Sequence, residues 1–503
     1  MVDSPREPER HEVLIIGTGF AGLGMAIKLR EAGIEDFALL ERANEIGGTW
    51  RDNVYPGCAC DVPSHLYSFS FAPKHDWTRA FAPQAEIQQY LLEVVERYRL
   101  RTKIRFDATM VRARYDEASA TWSVETADGR RFVARVVVSA MGPLSNPAYP
   151  EIPGIEQFEG ACFHSAEWDH GYDLRGKRVA VIGTGASAIQ FVPAIAPKVA
   201  HLDLYQRTPP WVIPKPDREF GTIERTVYAK LPQVQAARRA WIYWSLEARA
   251  LGFTRYPQIL ALAQQLVKRY LKHAVPDPEL RAKVTPDYTL GCKRILLSDD
   301  YYPALSRPNV EVHTSAVTRA TARGLVDADG NEREVDAIIY GTGFRVQDMV
   351  PTGAFCGRTG KDLVEVWHDR PEAYKGTAIA GFPNLFFLLG PNTGLGHNSM
   401  VYIIESQVAY VVDAIKRMRR HGWAAVEVRE AAQASYSANI QDKSAATIWQ
   451  SGCRSWYLDD HGRNTTLWPD FTFRFRQATA AFDEGAYHLR SLDEITTDIG
   501  AAA

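Results

Sequence analysis

Two glycine-rich turns in this chain have the residue types and spacing that bind phosphate. Gly17-Thr18-Gly19-Phe20-Ala21-Gly22 follows the apolar run Val13-Leu14-Ile15-Ile16 and opens a helical pattern from Leu23 to Arg30. Glycines so placed let the main chain approach a pyrophosphate, whose charge then rests on a helix N-terminus. The next apolar run, Phe37 to Leu40, ends in Glu41, about 20 residues on, where an acid holds a ribose hydroxyl. Gly183-Thr184-Gly185-Ala186-Ser187-Ala188 repeats the arrangement after Val179-Ala180-Val181-Ile182. Here the following strand, Leu202 to Tyr205, runs into Gln206-Arg207 instead of an acid. A cation in that place accommodates a ribose 2′-phosphate, so the second turn is expected to take NADPH. Either turn alone reads equally well as a tight strand-to-helix connection. Both together, with opposite charges at the ribose position, predict a flavin enzyme reduced by NADPH.

The elements that must carry these turns are legible as alternating strand and helix signals over residues 11–150 and again over 177–210. They predict an α/β fold with two Rossmann-like dinucleotide-binding domains. The apolar runs Phe132 to Ser139 and Val335 to Tyr340 each empty into a Gly turn, at Gly142 and at Gly341-Thr342-Gly343. The chain is expected to cross between domains at those points. Residues 220–275 mix Leu and Ala with Arg, Lys and Gln in a helical pattern and predict a helical insertion. The expected organisation is residues 1–150 as the first part of an FAD domain, 151–330 as the NADPH domain with its insertion, and 331–503 as the second part. The FAD domain is thus discontinuous, with the NADPH domain inserted in it.

Composition sets the outer bounds. A chain of 503 residues has room for two or three domains. Its formal net charge of -2 points to neither nucleic acid nor an anionic membrane surface. Gly376 to Ile404 lacks Asp, Glu, Lys and Arg, but Pro383, Pro391 and several glycines and asparagines make it a buried strand, loop and helix start, not a membrane span. The charged opening (Asp3, Arg6, Glu7) has no apolar core for a signal peptide. Cys58, Cys60, Cys162, Cys292, Cys356 and Cys453 show neither zinc spacing nor the disulfide density of secreted proteins. A cytoplasmic protein without a metal site is expected. Cys58 and Cys60 are a poor redox pair, because alternate side chains of an extended segment point to opposite faces.

Between the two turns lies Phe158-Glu159-Gly160-Ala161-Cys162-Phe163-His164-Ser165-Ala166-Glu167-Trp168-Asp169. Its Phe, Gly, His and Trp resemble the fingerprint of the Baeyer–Villiger monooxygenases; the related flavin-containing monooxygenases usually carry Tyr or Phe where Trp168 stands. The same residues read as an interdomain linker with His164 packed inside, and the two readings are compatible. The resemblance extends from about Val13 to Phe475. Gly47-Gly48-Thr49-Trp50 and Tyr55-Pro56-Gly57 resemble the family's FAD-contacting segment, continued by Cys60-Asp61-Val62. Tyr67 matches a residue near the isoalloxazine, Met110 falls among the FAD-binding positions, and Gly390-Pro391-Asn392 with Met400 resemble the segment that meets the flavin ring. Ser455-Trp456 and the run Gly462 to Pro469 are most similar to the branch that includes 4-hydroxyacetophenone monooxygenase.

The resemblance implies FAD and NADPH as cofactors, and insertion of one oxygen atom of O2 into a ketone, through a flavin peroxide, to give an ester or lactone. Arg294 matches the family's catalytic arginine. An arginine suits the task because it keeps its proton and stabilises developing negative charge in a dry site. Its other reading is a surface or interdomain salt bridge. Asp61 matches the acid facing flavin and nicotinamide; beside Arg294 it stays ionised, and its other reading is a turn cap before Val62-Pro63. Arg207, Lys293 and Thr208 are the groups expected on the 2′-phosphate. Trp456 reads either as a contact to the nicotinamide ribose or as a core aromatic. Two other functions fit parts of the pattern: an N- or S-oxygenating flavin monooxygenase, and a nucleotide-binding scaffold without catalysis, which intact Arg294 and Asp61 argue against.

Overall fold

Val13, Leu14 and Ile15 are wholly buried, as befits a central strand with parallel neighbours on both sides. The strand Glu9–Ile16 pairs in parallel with Phe37–Leu40 on one side and Arg131–Ser139 on the other. The structure is a computed structural model that describes residues 7–502 apart from 347, 369 and 454. Asp3 and Arg6 of the charged opening, and Ala503, lie outside the described residues.

Among the described residues, two large sheets form. The first runs in the order Phe355–Cys356, Met110–Asp116, Thr121–Thr126, Arg131–Ser139, Glu9–Ile16, Phe37–Leu40, Ile104–Arg105, with Leu385–Phe387 also paired to Arg131–Ser139. The second is all parallel, in the order Val310–His313, His201–Tyr205, Arg178–Ile182, Ala337–Tyr340, Ala161–His164. The first sheet is built from both ends of the chain and the second from the segment between them.

One boundary moves. Ala337–Tyr340 pairs with Arg178–Ile182 and Ala161–His164, so the second sheet runs past residue 330. The returning chain rejoins the first sheet only at Phe355–Cys356 and Leu385–Phe387. A short apolar strand buried on both faces carries no mark of which sheet will receive it.

The helical insertion consists of Thr222–Lys230, Pro232–Glu247, Ala250–Thr254 and Pro257–Ala274. Two of these helices start on proline, whose missing N–H is harmless in the first turn. The insertion leaves after Val212–Ile213 and returns to pair in parallel with it at Leu296–Leu297, which places Lys293 and Arg294 just before that strand. Gly376 to Ile404 forms the strand Leu385–Phe387, a loop, and the start of the helix Met400–His421. No helix among the described residues is long and apolar enough to cross a membrane.

Candidate active site

The first Gly turn is kept free of side chains. Gly17 has φ +106°, and a Cβ there would stand 2.6 Å from the Ala140 carbonyl oxygen; one at Gly22 would collide with the Gly17 carbonyl. Gly19 begins the helix Phe20–Glu31 without a side-chain cap, leaving first-turn N–H groups available to an anion. Ala21 is buried in that first turn. Gly47 and Gly48, at φ +125° and +53°, form the opposite wall. This bare main-chain cradle fits a pyrophosphate.

Glu41 closes the strand Phe37–Leu40 and is buried. Its carboxylate accepts from Thr18 N–H (3.2 Å) and Thr18 Oγ1, from Ala43 N–H (3.0 Å) and from Arg51 (2.7 Å). Thr49 and Trp50 follow the second pair of glycines in the short helix Thr49–Asp52. Trp50 Nε1 donates to the Tyr67 hydroxyl at 3.1 Å, and the Tyr67 ring also packs against Phe20 of the first turn. Met110 starts the next strand, two residues after Ala108, whose N–H bonds the Glu41 carbonyl at 2.8 Å.

The second turn repeats the geometry. Gly183 has φ +104°, and a Cβ there would press on the Gly341 carbonyl at 2.5 Å. Gly185 and Ala186 lead through Ser187 into the helix Ala188–Ile195. Thr184 Oγ1 donates to the Thr208 carbonyl at 3.4 Å, which fastens the turn to the segment that carries Arg207. Lys293 arrives from the far side, its ammonium 4.7 Å over the Tyr288 ring. Burial, and then repulsion from Arg207, hold the Lys293 pKa below its ordinary value. The nearby Asp287 carboxylate only partly offsets that repulsion, and two cations so close together suit a dianionic phosphate.

The two halves meet at Asp61 and Arg294. Arg294 Nε donates to Asp61 Oδ2 at 3.2 Å, Nη2 donates to the same oxygen, and Nη1 reaches the Leu395 carbonyl at 3.4 Å. Each of the two side chains is 32% exposed, open to a cleft yet fixed. Burial opposes charge on Asp61, but the adjacent guanidinium holds its carboxyl below the usual range. Asp61 in turn raises the Arg294 pKa further. Val62, buried next to Asp61, donates its N–H to Cys60 Sγ at 3.4 Å.

Arg294 thus stands fixed between the segments that carry the two Gly turns. The chain is 55% identical over 488 residues to a Baeyer–Villiger monooxygenase of Pseudomonas aeruginosa, covering 97% of this chain and 93% of that protein. It is 48% identical over 505 residues to one of Streptomyces coelicolor, covering 100% and 97%. The chain belongs to the Baeyer–Villiger monooxygenase family. Residues 14–238 of this monooxygenase also match the family model described as pyridine nucleotide-disulphide oxidoreductase. Its fold superposes on cyclohexanone monooxygenase from Rhodococcus sp. Phi1 bound to NADP+ with a TM-score of 0.85, 28% identity and coverage of 96% and 100%. It matches oxidized steroid monooxygenase bound to NADP with the same score and coverage, at 30% identity.

In this monooxygenase the fingerprint segment packs on the helix after the second Gly turn, which in turn meets the segment around Tyr55. His164 is wholly buried, its Nδ1 accepting from Ala166 N–H at 3.0 Å. Trp168 packs on Phe163 and on Phe191, and Phe191 packs on Tyr55, which follows the helix Thr49–Asp52. Gln190, beside Phe191, accepts from the Tyr55 hydroxyl at 2.9 Å and donates to the Ala59 carbonyl at 3.0 Å. Sequence reasoning gave Gln190 no role; a helical Gln after a Gly turn carries no local signal.

Trp456 is 46% exposed and stands edge-on to Tyr457 at 4.5 Å, so it is not a core aromatic. Tyr457, which sequence reasoning passed over, is the buried one of the pair; burial pushes its hydroxyl up to about 12 against the pull of the nearby Arg294 guanidinium. Met400 heads its helix but packs with Leu395, Trp468 and Phe475. Cys58 and Cys60 are free and buried, and burial pushes the Cys58 thiol up to about 11. Cysteine spacing gave no hint of the disulfide between Cys292 and Cys453, whose Cα atoms are 6.3 Å apart across 161 residues. It ties the segment before Arg294 to the loop before Trp456.

Proposed function

We propose that this enzyme inserts one atom of dioxygen into a ketone to give an ester or lactone, with Arg294 as the residue that stabilises the negative charge of the reaction. FAD and NADPH are its cofactors; FAD, reduced by NADPH, supplies the activation of dioxygen. Gly17, Gly19, Gly22 and Glu41, with Thr49, Trp50 and Tyr67, would hold FAD. Gly183 to Ala188, with Arg207, Thr208 and Lys293, would hold NADPH, and Trp456 would stand beside its nicotinamide ribose.

The observation that carries this reading is the Arg294–Asp61 ion pair. It joins the flavin-side segment after Tyr55 to the strand-entry segment that also carries Lys293. A guanidinium held in place stabilises an oxyanion without reorganising as charge develops. Asp61 orients that cation, and remains charged instead of passing a proton. Oxygenation of a sulfide or amine needs no such support, because those nucleophiles attack the oxygen without forming an anionic tetrahedral carbon.

The test is NADPH consumption by the FAD-loaded enzyme over a panel of ketones, sulfides and amines, with products identified by mass. Esters or lactones from the ketones are the expected result. Sulfoxides or N-oxides alone would move the enzyme to the second class.

A further inference from the structure

The net charge of the chain conceals a strongly asymmetric segment. Between Leu231 and Pro276 the one acid is Glu247, and it is buried, with its carboxylate bonded to Asn398 and Thr472. The exposed charges of the same segment are Arg249, Arg255, Lys268, Arg269 and Lys272. Lys268, Arg269 and Lys272 have no carboxylate partner among the described residues.

The segment also exposes apolar surface in stripes. On the helix Pro232–Glu247, Val234, Trp241 and Trp244 share one face, and the two indoles are 61% and 58% exposed. On the helix Pro257–Ala274, Ile259, Leu262 and Leu266 form a second stripe at i, i+3, i+7, with Leu262 70% exposed. Arg269 continues that stripe by one turn and Gln265 borders it, while Lys272 and Lys268 stand about 100° and about 140° round the helix from its centre, on the exposed flank. Aromatic contacts link the two helices across the surface. Trp244 meets Phe473 at 6.1 Å, Phe473 stacks on Phe471 at 5.3 Å, and the Arg255 guanidinium stands 5.9 Å over Phe471, next to exposed Tyr256.

We propose that the outer face of the helical insertion is a peripheral docking surface for an anionic lipid bilayer. Exposed Trp and Leu with Lys and Arg on the same helices, and no exposed acid between Leu231 and Pro276, are what a helix lying in a membrane interface presents to acyl chains and headgroups. The exposed acids Asp277, Glu279 and Asp299 stand at the edge of this face. Charge decides against a second copy of this chain as the occupant. A two-fold dimer sets the same patch against itself, and here it would oppose cations to cations across a dry contact. The inference does not depend on the ketone assignment.

The experiment is flotation of the FAD-loaded enzyme with phosphatidylcholine vesicles, and with vesicles in which about 30% of the lipid is phosphatidylglycerol. Binding to the anionic vesicles alone, weakened in 0.5 M salt by roughly the screening expected of surface charge, is the expected result. Trp241→Ser with Trp244→Ser should lower the partition coefficient about tenfold or more. Lys268→Gln, Arg269→Gln and Lys272→Gln together should lower it by about fivefold per charge. The charge variant changes only exposed side chains, so it decides the matter if the tryptophan variant folds poorly. NADPH oxidation by the charge variant should match the parent. Failure to float with anionic vesicles, equal flotation with neutral ones, or a solution dimer that protects Trp241 and Trp244 from aqueous quenchers would each overturn the proposal.

Discussion

Arg294 spends two of its donors on a single oxygen of Asp61 and turns a third toward the Leu395 carbonyl. Asp61 and Leu395 come from the two parts of the chain that build the first sheet, and Arg294 comes from the stretch between them. The cation is therefore positioned by three distant stretches of chain at once.

Arg294→Ala should retain bound FAD and lose ester formation by roughly a hundredfold or more, the scale of removing a preorganised oxyanion donor. FAD content by absorbance and ester yield by mass analysis check this. Normal ester yield would take Arg294 off the list of catalytic residues.

Asp61→Ala should act through Arg294. Displacing a catalytic cation by a fraction of its contact distance costs about a hundredfold in rate, so the single variant should be nearly as slow as Arg294→Ala. In a double-mutant cycle the two losses should fall well short of additive. Full additivity would return Asp61 to the role of a turn residue.

Arg207→Ala should narrow the NADPH-over-NADH preference by roughly tenfold, since one charge-assisted contact is worth about 1.5–3 kcal/mol. A pH dependence accompanies it. Lys293 is held below the ordinary lysine range by burial and by Arg207, so NADPH affinity should fall as pH rises through that lowered value. Removing Arg207 should move the inflection to higher pH. NADH, which has no 2′-phosphate, should show none. An unmoved inflection in the variant would separate Lys293 from Arg207.

Glu247 is buried and accepts from Asn398 (2.6 Å), from Thr472 Oγ1 (2.7 Å) and from Thr472 N–H (2.5 Å). Burial raises its pKa, but bonds from His397, Thr472 and Asn398 more than offset this and leave it below the ordinary value. A depressed carboxyl pKa contributes stability above its unfolded value and loses it as pH falls through the folded one. Glu247→Ala should therefore cost about 2–5 kcal/mol in urea unfolding at neutral pH. Part of the deficit relative to the parent should disappear below pH about 4. A difference that stays constant with pH would mean that Glu247 acts by volume alone.

Much of the nucleotide chemistry was legible because it is local. A strand, a Gly turn, a helix and a ribose-binding charge lie within some 30 residues, and side-chain-free turns such as Gly17 and Gly183 are dictated by backbone clearance that only glycine meets. Family likeness added Arg294, Asp61 and their pairing, which no local pattern near either residue carries. The strand Ala337–Tyr340 went to the second sheet because its partners, not its composition, choose its place.

By itself the sequence determined two glycine turns between strand and helix, the α/β class and the helical character of 220–275, all from periodicity and glycine spacing. The resemblance implied that Asp61 pairs with Arg294; only the tertiary structure decided that Leu395 and Tyr457 join them, that Gln190 clasps the segment from Tyr55 to Ala59, and that Cys292 meets Cys453. It alone separated the buried acid Glu247 from the exposed cations around it. Those outcomes depend on which distant segments share a volume, and the free energy of that choice is spread over the whole core and written in no single stretch of chain.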